Sequence, residues 1–319
     1  MTSIDWDDVQ GIVRSGLGWL KHASYVLLEV TEHAKARAWL STLALTSAAH
    51  VQDRDTLPLG LNIAFTFDGL CALGFDPQDP AGFSREFREG MAPLPGKVQA
   101  QARRSGMLGD VGANDPLYWS WGGQMSDSPP VHILLMAFGD EEVSKQAAEL
   151  IAPHSESGVR PVLTLSGWLP ADKREHFGFR DGLSQPVIDP ESERIATDDQ
   201  RRLHLMAAGE FLIGYPNERG NMPLSPKAPH NPDFGRNGTY LVLRELHQDV
   251  AEFEAWLDAQ SYDVPNANPE DRRTWFAAKL IGRWPNGAPL TRFPQNDRTS
   301  DIYGTFNTAD PATANDFFY

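Results

Sequence analysis

Asp181 lies directly before Gly182 in the run Gly178-Phe179-Arg180-Asp181-Gly182, which continues as Leu183-Ser184-Gln185-Pro186. Two glycines bracket one short acid. Glycine lacks a Cβ and tolerates positive φ, so this spacing permits a tight, low loop that brings a carboxylate and its backbone close to a bulky flat ligand. A carboxylate presented in this way can accept and return a proton, which is general acid–base chemistry. Glycine and aspartate are also the commonest turn formers, so a solvated turn has the same signature and both readings stand at this level.

Metal-ligating residues are harder to place. The nine histidines are His22, His33, His50, His132, His154, His176, His204, His230 and His247, and none sits in a spacing such as H-x-x-x-H. His132 falls in a predicted strand and reads as a satisfied core or edge residue. His176 shares the Asp181 loop or an adjoining turn, whereas His230 and His247 read as surface groups. Arg180 adjoins Asp181, but neighbouring side chains in an extended segment point to opposite faces, which suggests a structural ion pair. The one cysteine, Cys71, lies in Leu70-Cys71-Ala72-Leu73; it excludes an intrachain disulfide or thiolate cluster and reads as a core residue. The nine tryptophans, Trp119 and Trp121 among them, and the seven tyrosines read chiefly as core, because large aromatics dominate buried area.

Composition narrows the partners. With 43 acidic and 28 basic residues among 319, the formal net charge is −15, which argues against nucleic acid or an anionic membrane and for a small molecule. The opening residues Met1 to Asp8 carry acids where a secretory signal has basic residues and an apolar run, and no segment has transmembrane length without charges. A cytoplasmic protein is expected.

The elements that must position the acid follow from periodicity. Residues 24–31 predict a strand and Thr31 a cap for an Ala-rich helix over 32–45; residues 60–67 predict a second strand, with Asp68 capping a short helix. A loop-rich insertion spans about 74–130. Residues 131–138 predict a third strand, 140–152 a helix with Val143, Ala147, Leu150 and Ile151 on one face, and 161–169 a fourth strand. This β-α-β-β-α-β order is that of an α+β ferredoxin-like domain with an antiparallel sheet. After an acidic connector at 189–200 the pattern restarts with a predicted strand over 238–246 and helices over 249–260 and about 272–281, followed by a loop-rich tail. Two domains are expected, 1–195 and 196–319. The second ferredoxin-like unit is incomplete, and part of the stripe Val250, Phe253, Trp256 and Leu257 should lack cover.

Three further segments join the acid loop: Gly209-Glu210-Phe211-Leu212-Ile213-Gly214-Tyr215-Pro216-Asn217-Glu218, Asn237-Gly238-Thr239-Tyr240-Leu241-Val242 with Arg244, and the opening Asp8-Val9-Gln10-Gly11-Ile12-Val13. Together, in this order and over essentially the whole chain, they resemble the dye-decolourising haem peroxidases.

The resemblance implies two ferredoxin-like halves, one haem b, and hydrogen peroxide as oxidant for an organic electron donor such as a dye or phenol. It implies that Asp181 is the distal acid–base and that Gly182, Leu183 and Ser184 lie against the cofactor. A haem peroxidase also needs an axial histidine and commonly a distal arginine. The resemblance places both beyond the stretch matched here, so no residue of this chain is assigned to either role. Weak haem binding and little turnover are then expected of the 319 residues alone. Two classes of function follow: a haem peroxidase acting through Asp181, or a catalytically inactive ferredoxin-like remnant that binds a hydrophobic ligand or self-associates into a homo-oligomer.

Overall fold

The computed structural model describes residues 3–52, 57–76, 82–93, 98–123, 129–151, 154–183, 186–188, 205–228, 231–261, 269–294, 300–301 and 304–305. Its contacts group into two units, residues 1–168 with 207–241, and residues 169–206 with 242–319. This grouping interleaves the stretches on either side of residue 195.

The first unit is built on four strands, β1 (His22–Val30), β2 (Gly60–Phe65), β3 (Ile133–Gly139) and β4 (Val159–Trp168), in the order β2-β3-β1-β4 with every neighbouring pair antiparallel. The strand order and the two interposed helices are those of a ferredoxin-like α+β fold. Alternation along the strands sends Val26, Leu28, Leu61, Ile63, Ile133, Leu135 and Ala137 into one core. They meet Ala36 and Trp39 of α1 (His33–Leu40) and Val143, Ala147 and Ile151 of α5 (Val143–Ile151), the stripe expected from the 3.6-residue period. Full burial of each large aliphatic side chain contributes about 1.5–3 kcal/mol, so this layer dominates the unit's stability. The Trp39 Nε1–H donates to the Leu150 carbonyl at 2.8 Å and ties the two helices together.

Two predicted caps differ. Helix α1 begins after Glu32, which makes no side-chain cap bond, while the Thr31 N–H donates to the Gly158 carbonyl. Helix α2 (Phe67–Ala72) is capped by Thr66, whose Oγ1 accepts from Gly69 N–H at 3.0 Å, with Asp68 inside the first turn. Thr66 wins because its hydroxyl also donates to the Val131 carbonyl at 2.9 Å beside β3, a bond available only at that position.

Both sheet edges are managed. Along β2, the Gln10 side chain mimics a strand, donating to Ile63 O and accepting from Ile63 N–H. Edge strand β4 carries Pro161, and its register slips by one residue opposite Leu27 and Leu28, as a bulge does. The insertion holds two short helices, α3 (Arg85–Glu89) and α4 (Val98–Leu108); its Phe75 and Phe83 meet Phe67 of α2 edge to face, and Phe87 is stacked on Phe83 and tilted against Tyr240. Cys71, read as core, is half-buried, and burial raises its thiol pKa. Residues 207–241 join this unit through buried Tyr215, whose hydroxyl donates to Asn237 Oδ1 at 2.6 Å, while Asn237 Nδ2 donates to Asp8 Oδ2 at 2.7 Å.

In the second unit, α6 (Val250–Gln260) and α7 (Pro269–Ile281) form as predicted, and Asp249 caps α6 by accepting from Glu252 N–H at 2.9 Å. Leu257 is buried with Phe179 and Ala277; Phe253 is half-buried, and Val250 and Trp256 are exposed. The predicted strand over 238–246 is not in a ladder among the described residues. Its alternation suits a strand, but a strand exists only where successive residues pair with a neighbour, and among the described residues only Gly238, whose carbonyl accepts the Ile213 N–H at 2.9 Å, has such a backbone partner. The unit's described sheet structure is two short pairs: parallel β5 (Val187–Ile188) with β6 (Leu205–Met206), and antiparallel β7 (Ser300–Asp301) with β8 (Gly304–Thr305). Among the described residues no helix is long and apolar enough to cross a membrane.

Candidate acid–base site

Residues 173–181 fold back on themselves as a narrow hairpin. The Asp181 N–H donates to Lys173 O at 3.0 Å, Arg174 bridges Arg180 in antiparallel fashion, and the Glu175 N–H donates to Phe179 O at 2.9 Å. Gly178 closes the tip, with its N–H on Glu175 O at 2.9 Å and φ at +89°, a conformation that costs a side-chain-bearing residue more. The rings at the tip anchor the hairpin. Phe177 packs on Phe253 at 4.5 Å between centroids, and Phe179 is buried against Leu257 and Ala277 of α6 and α7.

A second turn clamps the departing strand. Trp284 N–H donates to Ala288 O at 2.9 Å and Gly287 N–H to Trp284 O at 2.7 Å, and the Pro285 carbonyl accepts the Arg180 N–H at 3.1 Å. Gly287, at φ +97°, lies so close to Leu183 that a Cβ there would overlap Leu183 Cδ1. Half-buried Leu183 is thus fixed from outside its own loop.

The sequence-predicted site residues take different places on this frame. Asp181 is exposed; its Oδ1 accepts from the adjacent Gly182 N–H at 2.6 Å, and Oδ2 has no partner among the described residues. Gly182 is exposed at φ +71°, and a Cβ built on it would meet open space. Ser184 lies outside the described residues, as do His204 and His230. Arg180 is half-buried with its Nε unbonded, so the ion pair expected for it is not formed among the described residues.

The half-buried His132 accepts the Val30 N–H at Nδ1, 2.9 Å, so its proton sits on Nε2, and burial lowers its pKa against the raising influence of Glu29 and Asp68. This is the satisfied residue read from the sequence. His176 and His247 are exposed. Among the described residues no three metal-ligating side chains cluster.

Sequence reasoning missed Glu175, Gln248 and Gly287. Glu175 Oε2 accepts from Phe177 N–H at 2.8 Å, Oε1 accepts from Phe179 N–H at 2.8 Å, and Gln248 Nε2 donates to Oε2 at 3.0 Å. The Pro285-Asn286-Gly287 run signals a turn, but not its packing partner.

No family model matches the chain. A dye-decolorizing peroxidase of Mycena epipterygia is 26% identical over 99% of this chain and 57% of its own length. Dye-decolorizing peroxidase msp1 of Mycetinis scorodonius is 27% identical over 91% of this chain and 53% of its own. Among solved structures, a dye-decolorizing peroxidase in complex with 2,6-dimethoxyphenol matches with a TM-score of 0.76 at 25% identity, covering 99% of this chain and 66% of that one. The chain therefore spans little more than half the length of the curated relatives it matches. By sequence along nearly its whole length and by fold, the chain is similar to dye-decolorizing peroxidases.

Proposed function

We propose that the protein is a haem-dependent peroxidase of the dye-decolourising type, reducing hydrogen peroxide and oxidising dyes, phenols or similar donors, with Asp181 as its acid–base. The observation that carries this reading is the exposed Asp181 carboxylate at the end of a hairpin pinned at its tip and clamped on its outer strand. The residues fit a haem b on the peroxide side: Gly182 leaves open space where a Cβ would stand, so a flat macrocycle can approach the backbone beside Asp181 and Leu183. No axial ligand is assigned to a described histidine. Bound haem would supply the redox-active iron for the reaction with peroxide. Asp181 takes a proton from one peroxide oxygen and returns it to the other, which leaves as water.

A second reading, a catalytically inactive module that binds an apolar ligand or self-associates, draws on exposed Val242, Leu246, Val250 and Trp256. Stopped-flow mixing of peroxide with the haemin-reconstituted protein, extended at its C-terminus by the region that its longer relatives carry, separates the two. Asp181→Asn keeps the shape but cannot accept the proton, so haem uptake should persist while the peroxide reaction slows by about 10²–10⁴-fold. An equal rate in the variant removes Asp181 from the role. The absence of any peroxide reaction in the haem-loaded parent favours the second reading.

A further inference from the structure

We propose that Glu175 is the positioning residue of this site, a carboxylate that holds the hairpin tip in the one geometry that aims Asp181. The inference rests on the acid–base reading of Asp181. Three donors converge on Glu175: the backbone N–H groups of Phe177 and Phe179 and the Gln248 side chain, at 2.8, 2.8 and 3.0 Å. The two N–H groups are served by different carboxylate oxygens, so the site requires two acceptors. Glutamine offers one acceptor and would turn its NH₂ towards a donor. Charge-assisted bonds of this kind are about twice as strong as neutral ones, and backbone N–H groups left unpaired at a half-buried turn are costly.

The consequence reaches Asp181 through the backbone. The tip is closed by Glu175 N–H on Phe179 O and Gly178 N–H on Glu175 O, and two residues later the strand ends at Asp181, paired to Lys173. Opening the tip releases Phe179 from its seat against Leu257 and Ala277 and lets the short strand that carries Asp181 shift. A misplacement of about 1 Å in a reacting group can cost about 100-fold in rate. Gln248 lies 73 residues away in sequence and immediately precedes the α6 cap Asp249, so Glu175 also fastens the hairpin to the start of that helix.

The test uses the same extended, haemin-reconstituted protein with Glu175→Gln, Glu175→Ala, Asp181→Asn and the Glu175→Ala/Asp181→Asn double variant. Hydrogen exchange at the Phe177 and Phe179 amides should quicken at least tenfold in Glu175→Ala, with haem uptake kept, and the peroxide reaction should slow by about 10–100-fold. In the Asp181→Asn background the Glu175 substitution should slow the reaction by less than twofold, because a residue that acts through Asp181 has nothing left to position. Full multiplication of the two losses overturns the proposal, as does unchanged amide exchange. An Asp181→Asn variant as fast as the parent sinks the acid–base reading instead, and the exchange rates then judge the role of Glu175 at the tip. Glu175→Gln, which keeps size and one acceptor, serves if the alanine variant does not fold.

Discussion

Gly287 is a residue whose replacement has two separable costs. At φ +97° an alanine is strained, and its Cβ would overlap Leu183 Cδ1. Gly287→Ala should therefore lower stability in urea unfolding by about 1–3 kcal/mol. Leu183→Ala in the same background should recover the steric part and leave the backbone part, since shortening Leu183 removes the overlapping atom but not the dihedral. If the double variant recovers nothing, packing against Leu183 is not what requires glycine here. At this same scale the acid loop divides its labour: Asp181 Oδ2 has no partner among the described residues, while Glu175 is fully engaged and Leu183 is held by a turn from elsewhere in the chain.

At the level of elements, His132 links the end of β1 to the start of β3. Its Nδ1 accepts the Val30 N–H, and burial lowers its pKa below the ordinary 6.5. The unfolded chain therefore takes up the proton first as pH falls, so stability is full above about 6.5, declines as pH drops through that value, and levels off below the folded pKa. Protonation also puts a hydrogen on Nδ1, which then opposes the Val30 N–H. His132→Asn offers Oδ1 in place of Nδ1 and cannot titrate, so thermal unfolding of this variant should lose less stability than the parent between pH 7 and 5. An identical pH profile would show that His132 is not linked to folding. The same register places Thr66 beside Val131, which is why α2 takes its cap from Thr66 rather than Asp68.

For the whole molecule, the chain leaves the first unit after Trp168 and re-enters it from 207 to 241. The returning segment is fastened by the chain of bonds from buried Tyr215 through Asn237 to Asp8. A protease site inserted between residues 194 and 198 should then be cleavable without separating the two pieces on native size exclusion, because each unit contains chain from both. Tyr215→Phe, which removes the donor to Asn237, should make the cut protein come apart at lower urea than the cut parent. Fragments that separate at once without denaturant would show that the returning segment is not held in this way.

The order of elements from β1 to β4, the helical stripe of α5 and the glycine-flanked acid were legible in the sequence, because periodicity and turn chemistry are written within a dozen neighbouring residues. The relation to dye-decolourising peroxidases was legible for a similar reason, being carried by short runs in a fixed order. Partnership across the chain was not. Residues 238–246 alternate as a strand but join no ladder among the described residues, Thr66 caps α2 because β3 runs alongside, and Phe177 and Phe179 are tied down by Glu175 together with Gln248, 73 residues distant. Each outcome depends on which group arrives opposite an unsatisfied N–H or an uncovered face, and only the tertiary structure brings those groups together.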